Sequence, residues 1–274
     1  MAKLTDYQAD SRFTSGDILI KDGMNGTRKI TAADAAVEFA GLVSAVNHRN
    51  IYRGRSLGST VTDAQKAAIS SGTFDDLFIG DYWTIGGVQW VIADMDYWYN
   101  CGDTVFTRHH LVIVPSRNLY NAQMNATNIT EGGYVGSLMY TANLETAKNT
   151  ITAAFGTMVK THREYLVNAV TAGAPSAGAW FDSTVELMNE PMVYGSYIHT
   201  AGSSGITFAW RNTTDKTQLA LFALNPMAIN NRGYYWLRDV ASAAYFACVR
   251  PDGIANSWYA SSDILGVRPA FAIG

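Results

Sequence analysis

The sequence predicts an α+β fold: a twisted antiparallel sheet with two or three flanking helices, preceded by a small N-terminal module. Three observations lead there. Tyr82-Trp-Thr-Ile85 and Val88-Gln-Trp-Val-Ile92 flank the turn Gly86-Gly87, which supplies the positive φ a tight hairpin needs. The chain closes with two blocks, residues 234–240 and 266–273, in which apolar and polar residues alternate as they do in half-buried strands. Between the hairpin and these blocks, residues 144–155, 162–172 and 183–190 carry helix boundary signals. Helices packed beside one sheet bury both kinds of apolar face.

Length and composition bound the rest. A chain of 274 residues has room for one large domain, or one domain plus a small module. Apolar residues make up 48% and aromatics 12%, enough for a sizeable core, while charged residues reach only 16%, below the usual quarter. That profile favours a β-rich, loop-rich fold with adhesive surfaces. A net charge of -3 leaves no electrostatic footprint for nucleic acid or an anionic membrane. No run of about 18 apolar residues occurs, so no membrane insertion is expected. The N-terminus, Met-Ala-Lys-Leu-Thr-Asp-Tyr, lacks the apolar stretch of a signal peptide, and synthesis in a cytoplasm is expected. Cys101 and Cys248 lie far apart, with no CxxC and no metal-ligand spacing, and read as two ordinary thiols.

Taken in order, residues 1–50 read as the separate module. Residues 17–22 alternate like a short strand, and Gly23-Met-Asn-Gly26 is turn chemistry. Thr31 can cap a helix from Ala32 to about Val46, with Asp34 favouring its positive end. Apolar residues cover much of this helix, so it needs a partner: either its own domain or, the favoured reading, copies of itself in an oligomer. The main domain spans residues 51–274. Thr62-Asp-Ala-Gln65 fits a capping box for a short helix ending before Gly72. The hairpin at residues 82–92 follows, its tryptophans reading as core. Asp94 and Asp96 supply hard oxygens but lack the further carboxylates of a calcium loop. His109 and His110 start a strand, where neighbours face opposite sides; one should be buried, one exposed, and no shared ion is expected. Residues 115–140 are loop-like. The helix at 144–155 is stopped by Gly156; Thr161-His-Arg-Glu164 fits a second capping box for the helix at 162–172; Glu186 is the cap partner for the one at 183–190. Residues 206–211 and 218–224 read as strands.

The closing stretch differs in character. Between the two alternating blocks lies a run rich in Tyr, Trp, Arg, Asp, Asn and Ser with Ala and Gly spacers. It is either the ordinary loops of a β-meander or a contact surface, for which rigid aromatics and short polar residues are well suited. The pattern Trp236-Leu-Arg-Asp239, then the insert, then Gly266-Val-Arg-Pro-Ala-Phe-Ala-Ile273 resembles the formylglycine-generating-enzyme-like branch of the C-type lectin fold. More narrowly it resembles the variable proteins of diversity-generating retroelements, many of which are phage tail or head-fibre receptor-binding proteins. The resemblance covers roughly residues 51–274.

That resemblance implies a C-type-lectin-like domain whose variable segment, about residues 234–265, recognises a bacterial cell-surface protein or glycan. The implied contact residues are Tyr245, Arg250, Asp252, Ile254, Asn256, Ser257, Trp258, Tyr259, Ser262 and Asp263. Arg238 and Arg268 belong to the frame, pairing with carboxylates or carbonyls. Short leaders in such fibre proteins serve attachment or trimerisation, which implies a homotrimer, other virion proteins as partners of the N-terminal module, and a virion location. No catalytic residue, metal or cofactor is implied. The enzyme that names the branch works through cysteines in its cleft, and Cys248 has no second cysteine beside it. Calcium-dependent sugar lectins of this fold use Glu-Pro-Asn and Trp-Asn-Asp motifs; here Met192 follows Glu190-Pro191 and no Trp-Asn-Asp occurs. A glycan-active enzyme and a structural decoration protein are the competing expectations.

Overall fold

The computed structural model of the chain describes residues 18–21, 28–31, 48–200 and 218–274. The architecture is mixed α+β, mostly sheet, with few helices. In the N-terminal region β1 (Ile18–Lys21) and β2 (Arg28–Thr31) form an antiparallel pair, so the strand expected at residues 17–22 is present. The helix expected from Ala32 to about Val46 and the strand expected at residues 206–211 lie outside the described residues.

The body opens with residues 48–56, which pack along the main sheet. His48 Nδ1 lies 2.8 Å from Phe74 O, and Arg49 forks onto Asp94 at 2.5 and 2.9 Å. Helix α1 (Asp63–Ser71) carries the expected capping box: the Thr62 hydroxyl accepts from Gln65 N, and the Gln65 side chain accepts from Thr62 N. Gly72, at φ 71°, ends it in the left-handed conformation.

β3 (Tyr82–Ile85) and β4 (Val88–Met95) form the expected hairpin. Gly86 and Gly87, at φ 60° and 78°, make the turn whose twist matches the strands. Trp83 and Trp90 are opposite one another and fully buried. With β5 (Leu111–Pro115), β7 (Val159–Lys160), β10 (Val185–Leu187) and β15 (Pro269–Ile273) they build a six-stranded sheet. Its order is β10-β15-β5-β4-β3, with β7 also on β15. Every residue of β5 and β15 is buried, as in strands covered on both faces. Helix α2 (Glu145–Phe155) lays Ala147, Ile151 and Phe155 into this core and stops at Gly156, as the sequence reads. Phe155, Trp90 and Phe271 meet edge to face or tilted, 5.3–5.7 Å apart.

Three sequence expectations are corrected here. Residues 162–172 form a strand, β8 (His162–Thr171), paired along its length with β9 (Ala174–Ser183). The turn is Ala172-Gly173, at φ 52° and 78°, and the β-branched Val167, Val170 and Thr171 suit a pleated surface better than a helix. Glu164, read as a cap partner, is a buried residue of β8 paired with Arg238. Residues 183–190 are likewise no helix: β10 adds to β15 at the margin of the main sheet, and Glu186 turns inward to Tyr134. The helix begins at Glu190 instead (α3, Glu190–Tyr194), with Asn189 capping it. Residues 218–224 hold a short helix, α4 (Ala220–Leu224), whose first amide donates to Asp94 Oδ2 at 3.0 Å. A short apolar run fits a buried helix turn as well as a strand.

The second sheet has five strands in the order β13-β12-β11-β14-β6. These are β6 (Tyr120–Asn121), β11 (Tyr235–Val240), β12 (Tyr245–Val249), β13 (Ala255–Tyr259) and β14 (Gly266–Val267). Arg268 alone separates β14 in this sheet from β15 in the other. No helix among the described residues is long and apolar enough to cross a membrane.

Candidate recognition surface

The closing stretch folds as β11, β12 and β13, an antiparallel meander built from the inside outward. β11 is held from behind: Trp236 Nε1 donates to Ala122 O at 2.7 Å, and the Tyr235 hydroxyl to Ile229 O at 3.1 Å. β12 is covered on both faces, with Phe246, Ala247, Cys248 and Val249 all buried. The insert is therefore not one run of loop; its first strand is core. β13 is the outermost strand and pairs on one side only, with β12, from Tyr245↔Tyr259 to Val249↔Ala255.

The structure places the ten expected contact residues along this hairpin. Tyr245, at the start of β12, is half-buried, with its ring 4.4 Å from that of the exposed Tyr259. Arg250 and Asp252 are exposed in the β12–β13 turn and pair at 3.1 Å; Asp252 Oδ1 also accepts from Ile254 N. Ile254 is 57% exposed, a large apolar side chain facing water. Asn256, Ser257 and Trp258 are half-buried along β13, and Trp258 packs on Tyr234 at 5.3 Å. Ser262 is half-buried, its amide donating to Tyr259 O, and Asp263 is exposed. None of the ten is buried.

Sequence reasoning missed the neighbours that come from elsewhere in the chain. Asn128 Oδ1 accepts from both the amide and the hydroxyl of Ser261. Thr130 donates to Ser242 O at 2.8 Å, and Ile129 beside it is 48% exposed. Tyr234, read as part of the frame, forms one wall of the Trp258 contact. Asn128 and Ser261 are 133 residues apart, and nothing local in the sequence announces the contact.

Behind the meander lies a buried ionic cluster. Arg238 pairs with Glu164 and reaches Leu187 O at 3.3 Å, while Glu164 Oε1 lies 3.2 Å from His162 Nε2. Burial alone would raise the Glu164 pKa, but Arg238 and His162 outweigh it and hold it down at about 2. Burial and then the charge of Glu164 push Glu186 up to about 7; the Tyr134 hydroxyl donates to it at 2.8 Å. Burial and Glu190 push Asp239 up to about 7, although Glu190 N donates to it at 2.6 Å. Glu190 itself accepts from the amides of Ile198, His199 and Thr200 and from the Thr200 hydroxyl. Arg238 and Asp239 also border a cleft of about 310 Å³, open mouth included, with Tyr134, Tyr165, Asn189 and Tyr197.

The remaining expected features are structural. Asp94 accepts from Arg49, Met95 N and Ala220 N. Asp96 takes His109 Nδ1 at 2.7 Å and His110 N at 2.9 Å; His110 is buried and His109 half-buried. Cys101 and Cys248 are both buried thiols with no disulfide among the described residues, and burial followed by Glu190 pushes the Cys248 thiol up to about 12. Among the described residues no group of three or more His, Cys, Asp or Glu side chains could hold a metal. Comparison with family models, curated proteins and solved structures finds no match.

Proposed function

We infer that the chain is a ligand-binding display protein with a C-type-lectin-like fold, akin to the variable proteins of diversity-generating retroelements. Its β12–β13 hairpin recognises a molecule on a bacterial surface, as the receptor-binding part of a phage tail or head fibre. The observation that carries the reading is a division of labour inside one hairpin. β12 supplies four consecutive buried residues, while the candidate contact positions on and around β13 all keep some exposure. A surface built this way can change its side chains without changing its core. Tyr245, Trp258 and Tyr259 would anchor a ligand with rigid aromatic area, and Arg250, Asp252, Asn256, Ser257, Ser262 and Asp263 would tune specificity. The N-terminal module would join copies, a trimer in this reading, and attach them to other virion proteins. Weak single sites would then gain avidity.

The ionic cluster supports binding over chemistry. Its carboxylates are engaged by Arg238, Tyr134, backbone amides or Thr200, and they sit in the interior. The Cys248 thiol, pushed up to about 12, is a poor nucleophile. A decoration role is not separable by cutting the chain near residue 232, because that removes β15 from between β10 and β5.

The test is binding of fluorescently labelled protein to a panel of bacterial strains. Wild type should mark a subset of strains. A Tyr245→Ala/Tyr259→Ala variant should lose about tenfold or more in binding with a melting temperature within a few degrees of wild type. Equal marking by the variant, or no strain marked, overturns the reading.

A further inference from the structure

We propose that β13 recognises its partner by strand addition: an extended, uncharged polypeptide segment of the bacterial surface molecule pairs with the open edge of the five-stranded sheet. This rests on the reading above and narrows the ligand to protein rather than glycan.

The hydrogen-bond pattern defines the edge. Arg250 N donates to Ile254 O, and Ala260 N to Ala244 O. Bonded and non-bonded pairs alternate in an antiparallel ladder. The pairs Phe246↔Trp258 and Cys248↔Asn256 are therefore the bonded ones. Ala255, Ser257 and Tyr259 then aim their amides and carbonyls away from β12. Among the described residues only Tyr259 O finds a partner, Ser262 N at 3.0 Å. The amides and carbonyls of Ala255 and Ser257 have no hydrogen-bond partner among the described residues. They are spaced to match the main chain of another strand, and a sugar carries no such alternating row.

The edge also lacks the usual guards. Ala255-Asn-Ser-Trp-Tyr259 contains no proline, no lysine and no other charge, and its register with β12 is regular. Natural sheets leave such an edge open where something is meant to pair with it, or else they aggregate. Two aromatic pairs straddle it. Tyr245 and Tyr259 stand on one face, since directly opposed residues share a face, and Trp258 with Tyr234 on the other. An incoming strand would send successive side chains alternately to these two sites. Main-chain bonds would supply general affinity and the aromatic pairs would choose the side chains, so changes at Trp258 and Tyr259 would retune the partner without dismantling the docking mode.

The experiment uses the whole chain and an array of acetylated, amidated heptapeptides of alternating Val, Thr, Tyr and Asn. A matched array is N-methylated at alternate amides. Unmethylated members should bind, and their methylated twins should bind at least about tenfold more weakly. The Ser257 amide should exchange more slowly when peptide is present. Ser257→Pro removes only an edge-facing donor, a position where sheets tolerate proline, and should lower binding by a similar factor. If no peptide binds, or methylation and Ser257→Pro leave binding unchanged, strand addition is wrong. Slow Ser257 exchange in a concentration-dependent dimer without peptide would also overturn it, because the edge would belong to a second copy. On the bacterial panel, loss of marking by the tyrosine variant but not by Ser257→Pro would leave the recognition surface standing and remove only the strand pairing. Marking unchanged in both would remove the surface itself.

Discussion

At the residue scale, the buried carboxylates set a pH dependence that composition alone does not suggest. Glu186 and Asp239 titrate near 7 in the folded protein, raised by burial and by the neighbouring Glu164 and Glu190 respectively. In the unfolded chain both titrate near 4. Between about pH 4 and pH 7 the folded state therefore binds more protons than the unfolded state, and stability falls as pH rises through that window. Glu164 acts in the opposite sense: held at about 2, it contributes stability above about pH 4 that is lost as pH falls toward 2. The cluster as a whole is most stabilising near pH 4–5. Glu186→Gln keeps an acceptor for the Tyr134 hydroxyl and removes the charge. It should raise stability at pH 8 by about 1–3 kcal/mol, change it little at pH 4.5, and flatten the slope between them. Urea denaturation across that range measures it. An unchanged slope would show that Glu186 stays ionised at little cost.

At the scale of elements, the β8–β9 hairpin shows how local signals mislead. Thr161 and Glu164 have capping-box spacing, and Tyr165, Leu166, Ala169 and Val170 have helical spacing. The competing signal was a ten-residue return strand after Ala172-Gly173, whose weight is felt only once both arms pair. Ala172 sits at φ 52°, a conformation unfavourable for an alanine, while Asn tolerates it. Ala172→Asn should stabilise the protein by about 0.5–1 kcal/mol. Gly173→Ala should destabilise it, since at φ 78° a new Cβ would come within 2.8 Å of Ala243 N. Thermal melts of the two variants should move in opposite directions, and matching shifts would refute this account of the turn. Elements with self-contained signals were legible: the glycine turn of β3–β4, the Thr62 capping box, the Gly156 stop, and the extended character of the two closing blocks, although these are buried on both faces rather than half-buried, and residues 266–273 divide at Arg268 into β14 and β15 of different sheets. Those whose character is set by a distant partner were not. Residues 185–187 become a strand because β15 offers an edge, and residues 220–224 turn helical with Asp94 at their start. At the candidate surface the aromatic and short polar character of the stretch was legible from composition and the contact positions came from the resemblance, but the contacts of Asn128, Thr130 and Tyr234 with it form only through tertiary folding.

At the scale of the whole molecule, one residue ties the two sheets together. β14 belongs to the five-stranded sheet and β15 to the six-stranded one, and Arg268 between them is 1% exposed. Its guanidinium donates to Pro115 O at 3.0 Å, to Ala228 O at 3.0 Å and to Ile229 O at 3.4 Å. It also lies over the rings of Phe222 and Tyr235, at 5.5 and 5.1 Å. These contacts bind the end of β5, the turn after α4 and the start of β11 to one planar group. A lysine keeps the charge, but its three donors radiate from a single nitrogen and cannot reach carbonyls that are met here by three separate nitrogens of a planar guanidinium. Arg268→Lys should therefore leave buried carbonyls unpaired and lower stability by about 2–4 kcal/mol. Because both sheets depend on the same group, the loss should appear as one cooperative transition moved to lower urea, with tryptophan fluorescence and far-ultraviolet circular dichroism coinciding. Two separated transitions would mean that the sheets unfold independently and that the β12–β13 hairpin is not held by the core behind it. A single transition would mean that β12–β13 shares the stability of the whole core, and so can vary its exposed residues with little effect on the fold.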